Sequence, residues 1–246
     1  MKVLIASPTT QGIVTTAYAH TLTAATAVLN EVGALYRLML IDGADVVMAR
    51  TILAHAFMAD ESLTHILFID SDMAVDGAAL RRLIALKAPI VGVAYAERRI
   101  DLDAYAARVA EGASPDAAKA LSSAFTLRMR PGRKEVNQGL VEVEGFGFGC
   151  VLIAKEVFSA MVARGIAKPM TSAKLRASGL KGDIHDFFAP IRQPDGDALS
   201  EDYAFCERVR ALGDVPLLAY IGPGIGHVGQ FTYGGAYIER LRAGKI

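Results

Sequence analysis

The chain has few cysteines and no long apolar runs, the features that are typical of disulfide-bonded and membrane-spanning proteins. It contains only two cysteines, Cys150 and Cys206, among 246 residues. Their separation matches no common metal-binding spacing, so we expect a reduced, cytoplasmic protein. No apolar run approaches the roughly 18 residues that a transmembrane helix needs. The first residues, 1–6, are too short and too strand-like for a secretory signal, so none is expected there.

An excess of charge of either sign is also missing. The 26 basic and 26 acidic side chains cancel to a formal net charge of zero at pH 7. Nucleic acids and anionic membranes attract proteins through excess positive charge, so the sequence predicts no bulk binding to either. The length suffices for one large domain or two small ones with a substantial core.

Strands and helices are predicted to alternate through the first hundred residues. The predicted strands are 2–7, 35–41, 65–70 and 89–94. Helical periodicity separates them, and such alternation is typical of a mostly parallel α/β sheet with a nucleotide-binding half. The pattern then changes. The later predictions are a helical stretch at 101–121, antiparallel strands at 124–130 and 136–144, a strand at 150–154, helices at 155–164 and 200–212, and a turn-rich segment at 222–229.

Two carboxylates end a strand that is apolar on both faces. Residues 65–69 precede Asp70, Ser71 and Asp72. Carboxylates this close repel each other unless a cation or hydrogen-bond donors lie between them. Because α/β proteins bind ligands at this end of their strands, the pair predicts a metal-assisted phosphate or nucleotide site. Two alternatives are a phosphorylated aspartate nucleophile and a strand end with solvated acids.

Three further features in the second half are candidates for chemistry. Glu201 and Asp202 follow Ser200, so they either stabilise the first turn of a capped helix or supply a general base. His227 lies among glycines and is either a structural residue or a ligand for a divalent metal. The bend Gly145–Gly149 is either an ordinary bulge or a tight bend with backbone open to a ligand and aromatic rings at the mouth of a site.

Taken together, these segments resemble the GT-A glycosyltransferases, especially the bacterial and viral relatives of family 2. The matching segments, in the order of that family, are 7–9, 65–72, the glycine bend before 150–153, 200–206 and 226–229. The resemblance implies a GT-A type α/β fold, with a mostly parallel Rossmann-like sheet flanked by helices and an antiparallel acceptor-side portion. It also implies one domain, 1–246, with a nucleotide-sugar-binding half at 1–100, an acceptor and catalytic half at 101–246, and a mobile loop at about 165–199.

The same resemblance implies a function. The chain would be a metal-dependent glycosyltransferase that moves a sugar from a UDP- or GDP-sugar to an unidentified hydroxyl acceptor, with Mn²⁺ or Mg²⁺ and inversion of configuration. Asp202 would act as the base, with Glu201 beside it. The expected donor contacts are Pro8, Thr9, Asp42, Arg50, Asp70 and Ser71. The expected metal ligands are Asp70, Asp72 and His227.

Two other functions stay open at this point. A nucleotidyltransferase of similar fold would also hold a metal with carboxylates, although it would normally carry a glycine- and basic-rich loop where this chain has Gln11 and Gly12. A non-catalytic nucleotide-sugar-binding protein would keep the fold without the reaction. The absence of the Q-x-x-R-W motif of processive synthases favours a single transfer over polymerisation.

Overall fold

The alternation predicted for the first hundred residues is present in the computed structural model, which describes residues 1–43, 45–132, 136–172, 175, 180–230 and 243. The helices are α1 (Thr16–Glu31), α2 (Val46–Ala59), α3 (Gly77–Ala85), α4 (Leu102–Ala110), α5 (Pro115–Leu121), α6 (Lys155–Ala163) and α7 (Glu201–Arg210). The strands are β1 (Lys2–Thr9), β2 (Leu35–Asp42), β3 (His65–Ile69), β4 (Met73–Val75), β5 (Ile90–Val93), β6 (Leu127–Met129), β7 (Leu140–Phe146), β8 (Cys150–Ala154), β9 (Ile191–Arg192), β10 (Ala198–Leu199), β11 (Leu218–Tyr220) and β12 (Ile225–His227).

Eight of the strands form one sheet in the order β2-β1-β3-β8-β5-β11-β7-β6. Six of them run in the same direction, whereas β7 and β8 run the opposite way. The predicted α/β class, with a mostly parallel sheet and an antiparallel portion, is therefore confirmed. The position of β8 between β3 and β5 was not predicted, because it depends on pairing between segments far apart in the chain.

Helices cover both faces of this sheet. On one face, Phe57 of α2, Phe158 of α6 and Phe205 of α7 belong to one apolar core cluster. On the other face, Tyr18 of α1 and Leu83 of α3 belong to a second cluster. Because β3 is buried between the two clusters, both of its faces are apolar, as its sequence indicates.

Helices α1 to α5 each begin after a side chain that accepts a backbone hydrogen bond from the first turn. Thr15 Oγ1 accepts from the N–H of Tyr18 at 3.1 Å, and Asp76 Oδ1 accepts from that of Ala79 at 2.8 Å. Such caps satisfy N–H groups that have no partner within the helix. Helix α1 ends before Gly33, whose φ of 64° is readily adopted by a residue without a Cβ atom.

Parts of the second half differ from the sequence prediction. The stretch 101–121 forms two helices, α4 and α5, separated around Gly112, which has a φ of 91°. The turn-rich segment contains β12, which pairs antiparallel with β4. The loop at 165–199 contains the short pair β9 and β10, while its residues 173–174 and 176–179 lie outside the described residues.

Within the described ranges, no helix combines the length and the apolar character needed to cross a membrane.

Candidate functional site

The Asp70–Asp72 segment forms a tight turn at the end of β3. The N–H of Asp70 donates to Gly149 O at 2.9 Å, and Asp70 O accepts from the N–H of Met73 at 3.1 Å. Beyond the turn, Asp72 O accepts from the N–H of Val228 at 2.9 Å. These backbone bonds connect the turn to the glycine-aromatic bend on one side and to the C-terminal glycine-rich segment on the other.

A buried arginine joins this turn to the second acidic pair. Arg50 lies on α2 and its side chain is 2% exposed. Its Nη2 donates to both carboxylate oxygens of Asp70 at 3.1 Å. Its Nη1 donates to Glu201 Oε1 at 2.9 Å and also to Asp202 Oδ1. Two acidic motifs that are far apart in the sequence therefore meet at one guanidinium group.

Arg50, one of the expected donor contacts, is buried in the structure. Both of its terminal nitrogens donate to carboxylates, and the side chain is enclosed by protein. Its Nε has no hydrogen-bond partner among the described residues. The geometry therefore assigns Arg50 to the organisation of the carboxylates rather than to an exposed surface that a ligand could reach.

Phe148 contributes to the same cluster through its backbone and its ring. Its N–H donates to Asp202 Oδ2 at 3.0 Å, and its ring centroid lies 5.3 Å from Cζ of Arg50. The rings of Phe146 and Phe148 are fully buried in the core. The prediction that these rings line the mouth of a site is therefore wrong, because they pack against neighbouring apolar side chains instead.

The glycines of this bend are required by close packing. A Cβ atom built on Gly147 would lie 2.4 Å from Tyr95 Oη, and one on Gly149 would lie 2.7 Å from Tyr95 Cε1. Thr126 Cβ lies 2.9 Å from the Cβ position of Gly147, and Met73 Sδ lies 2.7 Å from that of Gly149, so neither position leaves room for a larger residue. The glycine pattern therefore reflects the close approach of these side chains, which the sequence did not indicate.

The Arg50 cluster carries more negative than positive charge. Three carboxylates, those of Asp70, Glu201 and Asp202, share one guanidinium. Burial raises the pKa of Asp70 above its ordinary value, and the charge and hydrogen bonds of Arg50 oppose that effect. An excess of carboxylate charge in a partly buried site favours the approach of a cation.

The second carboxylate of the turn contacts a histidine and an arginine. Asp72 Oδ2 lies 3.3 Å from His227 Nε2 and accepts from Arg98 Nη1 at 3.0 Å. His227 Nδ1 lies 3.0 Å from Ala96 O. Because a carbonyl oxygen only accepts, we assign the proton to Nδ1, so Nε2 is directed at Asp72.

These contacts change the ionisation of both groups. Burial disfavours the charged form of Asp72, but His227 and Arg98 outweigh it and hold the pKa of Asp72 below its usual range. Burial alone would lower the pKa of His227, but Asp72 and the carbonyl of Ala96 outweigh it and raise that pKa. The neutral imidazole would direct a lone pair at a carboxylate, so a proton or a cation between them is favoured.

The residues at this position partly fit a divalent metal. Asp72 and His227 are adjacent, and the bond from Nδ1 to a backbone carbonyl is the arrangement that orients a metal-binding imidazole. Asp70 directs both oxygens to Arg50 instead. Across the part of the chain that the structure describes, no group of three or more His, Cys, Asp or Glu side chains could hold a metal ion.

The residues expected to contact the donor nucleotide lie at the ends of β1 and β2. Pro8 and Thr9 are buried, and Thr9 Oγ1 donates to Asp42 Oδ1 at 3.4 Å. Asp42 Oδ1 also accepts from the N–H of Gly12 at 2.8 Å. The parallel register pairs Thr9 with Asp42, so Pro8, Thr9 and Asp42 lie at the C-terminal ends of their strands, as Asp70 does.

Ser71 connects the turn to helix α1. Its backbone oxygen accepts from both the N–H and Oγ1 of Thr15, at 2.9 and 3.2 Å. Thr15 in turn caps α1. The backbone of Ser71 therefore positions the helix that follows the first strand.

Apart from Ser71, the expected site residues fall into three groups. The structure brings Arg50, Asp70, Glu201 and Asp202 together, places Asp72 against His227, and places Pro8 and Thr9 with Asp42. Arg98 and Tyr95 were not expected near the site, whereas Phe148 belongs to the bend that was expected there. Arg98 follows strand β5 after a short connection, and its position at the end of that strand is the signal that could have indicated it.

No protein-family model matches the chain, and no curated protein matches it. Solved structures do match. One is a protein from STIV, with 16% sequence identity, a TM-score of 0.48, and coverage of 94% of this chain and 87% of that one.

Two other solved structures are named as transferases. A mutant Drosophila β-1,4-galactosyltransferase 7 in complex with manganese, UDP-Gal and xylobiose is 12% identical to this chain. The match covers 93% of this chain and 71% of that one, with a TM-score of 0.47. An inositol-1-phosphate CTP transferase from T. maritima is 9% identical, covers 98% and 76%, and has a TM-score of 0.37. With scores this low, the function must be argued from the residues of the site itself.

Proposed function

We propose that the chain is a metal-dependent glycosyltransferase that moves a sugar from a nucleotide-diphosphate sugar to a hydroxyl acceptor, with inversion. The observation that carries the proposal is the meeting of Asp70, Glu201 and Asp202 at Arg50. One carboxylate motif lies where a ligand binds an α/β sheet, and the other lies beside it at a helix N-terminus. Such a transfer needs negative charge to hold a cation and a carboxylate to take a proton.

In the proposed reaction, the acceptor oxygen forms a bond to the anomeric carbon of the sugar. The bond between that carbon and the diphosphate oxygen breaks, the nucleoside diphosphate leaves, and the acceptor proton passes to Asp202. Arg50 and the N–H of Phe148 each donate to one oxygen of Asp202, which keeps the carboxylate in one orientation. Each oxygen retains a second lone pair for the incoming proton.

Asp72 and His227 are the residues that would hold Mn²⁺ or Mg²⁺, with the charge of Asp70 nearby. A bound ion of this kind offsets the negative charge that develops on a departing diphosphate. Both metals commonly bind through one or two protein carboxylates together with substrate phosphates and water, so a complete cage of protein ligands is not needed.

The donor nucleotide is proposed to lie along the ends of β1 and β2. Pro8, Thr9 and Asp42 would contact the base or the ribose, and Ser71 would lie beside the sugar-phosphate portion. Arg98 is 56% exposed and bonded to Asp72, so its guanidinium can reach a bound diphosphate more easily than the enclosed Arg50.

Release of nucleoside diphosphate tests the proposal. The protein is incubated with a panel of nucleotide sugars and Mn²⁺, and nucleoside diphosphate release is measured. Pyrophosphate release from a nucleoside triphosphate and a sugar phosphate would instead identify a nucleotidyltransferase. Binding of a nucleotide sugar without release of either product, with every acceptor class tested, would identify a non-catalytic binding protein.

The role of Asp202 is tested by Asp202→Asn. We expect turnover to fall about 100-fold or more, the size of a typical general-base contribution, while the Kd of the donor stays within a few-fold of wild type. Asp214→Asn is the matched control, because Asp214 pairs with Arg164 on the surface at 3.0 Å. Normal turnover by the Asp202 variant would contradict the assignment of the base.

A further inference from the structure

Strand β2 lies at one end of the eight-stranded sheet and pairs with β1 on one side. Within the described ranges, no strand pairs with its other side. Edge strands of natural proteins usually carry charges, prolines or bulges that prevent pairing with another chain. β2 has the sequence LYRLMLID, with charges at Arg37 and Asp42 and no proline. The edge is eight residues long and paired in register throughout.

The backbone groups that face outward belong to alternate residues of β2. The N–H of Leu35 donates to Met1 O at 3.1 Å, and that of Gly43 donates to Thr9 O at 3.0 Å. Odd-numbered residues therefore direct their backbone groups toward β1. The N–H and C=O groups of the even-numbered residues between them face away from the sheet.

The same even-numbered residues carry an exposed apolar stripe. Tyr36, Leu38 and Leu40 are 39%, 44% and 41% exposed. Side chains alternate along a strand, so these three lie on one face of the sheet. On the opposite face, Met39 and Ile41 pack against the core. Unpaired backbone groups and an exposed apolar stripe therefore coincide.

We propose that β2 pairs antiparallel with β2 of a second copy of this chain, which extends the sheet across a two-fold axis. With Leu38 on the axis, Tyr36 lies opposite Leu40 of the second copy, and each pair exchanges both backbone hydrogen bonds. The register matches apolar side chains with one another on the exposed face. It places Arg37 opposite Met39, so no like charges face each other directly.

A second copy fits this edge because the strand is complementary to itself in that register. The apolar positions are symmetric about Leu38, as an isologous contact requires. A single strand edge buries less area than most permanent dimers, so the association is expected to depend on concentration. This inference is independent of the proposed function, because none of these side chains belongs to the Arg50 cluster or the Asp72 pair.

Analytical ultracentrifugation of the full chain tests the inference. At concentrations from about 1 to about 200 μM, spanning those at which small interfaces form, we expect wild type to shift from monomer to dimer. Leu38→Lys places two like charges on the axis and should raise the dimer Kd at least about tenfold. Leu121→Lys is the matched control, since Leu121 is 65% exposed on α5, and it should dimerise like wild type.

A charge-pair rescue tests the register. Tyr36→Lys alone and Leu40→Glu alone should each weaken the dimer, whereas the double variant should restore it, because the new charges lie opposite each other across the axis. A wild-type protein that stays monomeric over the whole concentration range would overturn the proposal, because β2 would then not pair with a second copy. A Leu38→Lys variant that dimerises like wild type would also overturn it. Failure of the double variant to recover would overturn the register.

Discussion

Replacing Arg50 with methionine removes the cation that three carboxylates share. Methionine keeps much of the side-chain volume, so the change is mainly one of charge and hydrogen bonding. Arg50 is 2% exposed, while Asp70, Glu201 and Asp202 are 25%, 16% and 15% exposed. Loss of one partner from a buried ion pair costs about 3–5 kcal/mol, because the remaining charge has no compensation.

The lower end of that range applies here. Water can reach part of each carboxylate, so some of the lost interaction is replaced by hydration. We therefore expect Arg50→Met to reduce the free energy of unfolding by about 3 kcal/mol at pH 7. This is a large fraction of the roughly 5–15 kcal/mol that stabilises a typical domain, so the variant should be markedly easier to unfold.

The loss should shrink as the pH falls. Burial already raises the pKa of Asp70 in the folded state, and Arg50 opposes that effect. Without Arg50 the folded-state pKa rises further above that of the unfolded chain, so the folded variant binds a proton more readily. The stability of the variant then decreases as the pH rises from the unfolded-state pKa of about 4 to the raised folded-state pKa of Asp70. The penalty becomes smaller as the pH falls back toward about 4.

Urea unfolding of wild type and Arg50→Met at pH 5 and pH 7 measures both effects. Arg81→Met is the matched control, because Arg81 makes two 2.8 Å bonds to Glu31 at the surface. Solvent screens such a pair, so its loss should matter much less. The reasoning is refuted if the two variants lose similar stability at pH 7, or if the Arg50 variant is not relatively more stable at pH 5.

Two further predictions concern the surroundings of the site. Gly147→Ala places a Cβ atom 2.4 Å from Tyr95 Oη and should lower the free energy of unfolding in urea by about 1–3 kcal/mol. Gly43→Ala is the control, because its Cβ atom would meet nothing within 4 Å. Equal losses of stability in the two variants would contradict the packing argument. The pKa of His227 is raised and that of Asp72 is lowered, so their pair should stabilise the fold most between about pH 4 and about pH 6.5. The difference in the free energy of unfolding between wild type and His227→Gln, measured in a metal chelator at several pH values, tests this prediction. A difference that does not change with pH would contradict it.

Much of the first half of the fold was predictable from local patterns. The apolar run before Asp70 is buried on both faces, and the helices and strands around it alternate as expected. These features depend on hydrophobic periodicity and on cap residues within a few positions, so they can be recognised in a single sequence. Ser200 occupies the predicted cap position of α7, although its side chain makes no capping hydrogen bond.

The second half was harder to predict because its strands are short and pair over long distances. β4 and β12 have three residues each, too few for a periodic signal, yet their pairing brings His227 toward Asp72. β8 inserts antiparallel between β3 and β5, and this position depends on which edges remain unpaired elsewhere in the sheet. Neither arrangement leaves a pattern within one stretch of chain.

The sequence by itself determined which residue types can do chemistry: the two acidic pairs, the histidine among glycines, and the strand that ends in carboxylates. Only the tertiary structure decided which of them meet. Helix α2 packs against β1 and β2, and the Arg50 side chain reaches from it to the acidic start of α7, so an arginine expected to face a ligand instead holds three carboxylates. Local periodicity specifies a helix and its apolar face, whereas the partners of a buried charge depend on the packing of distant elements.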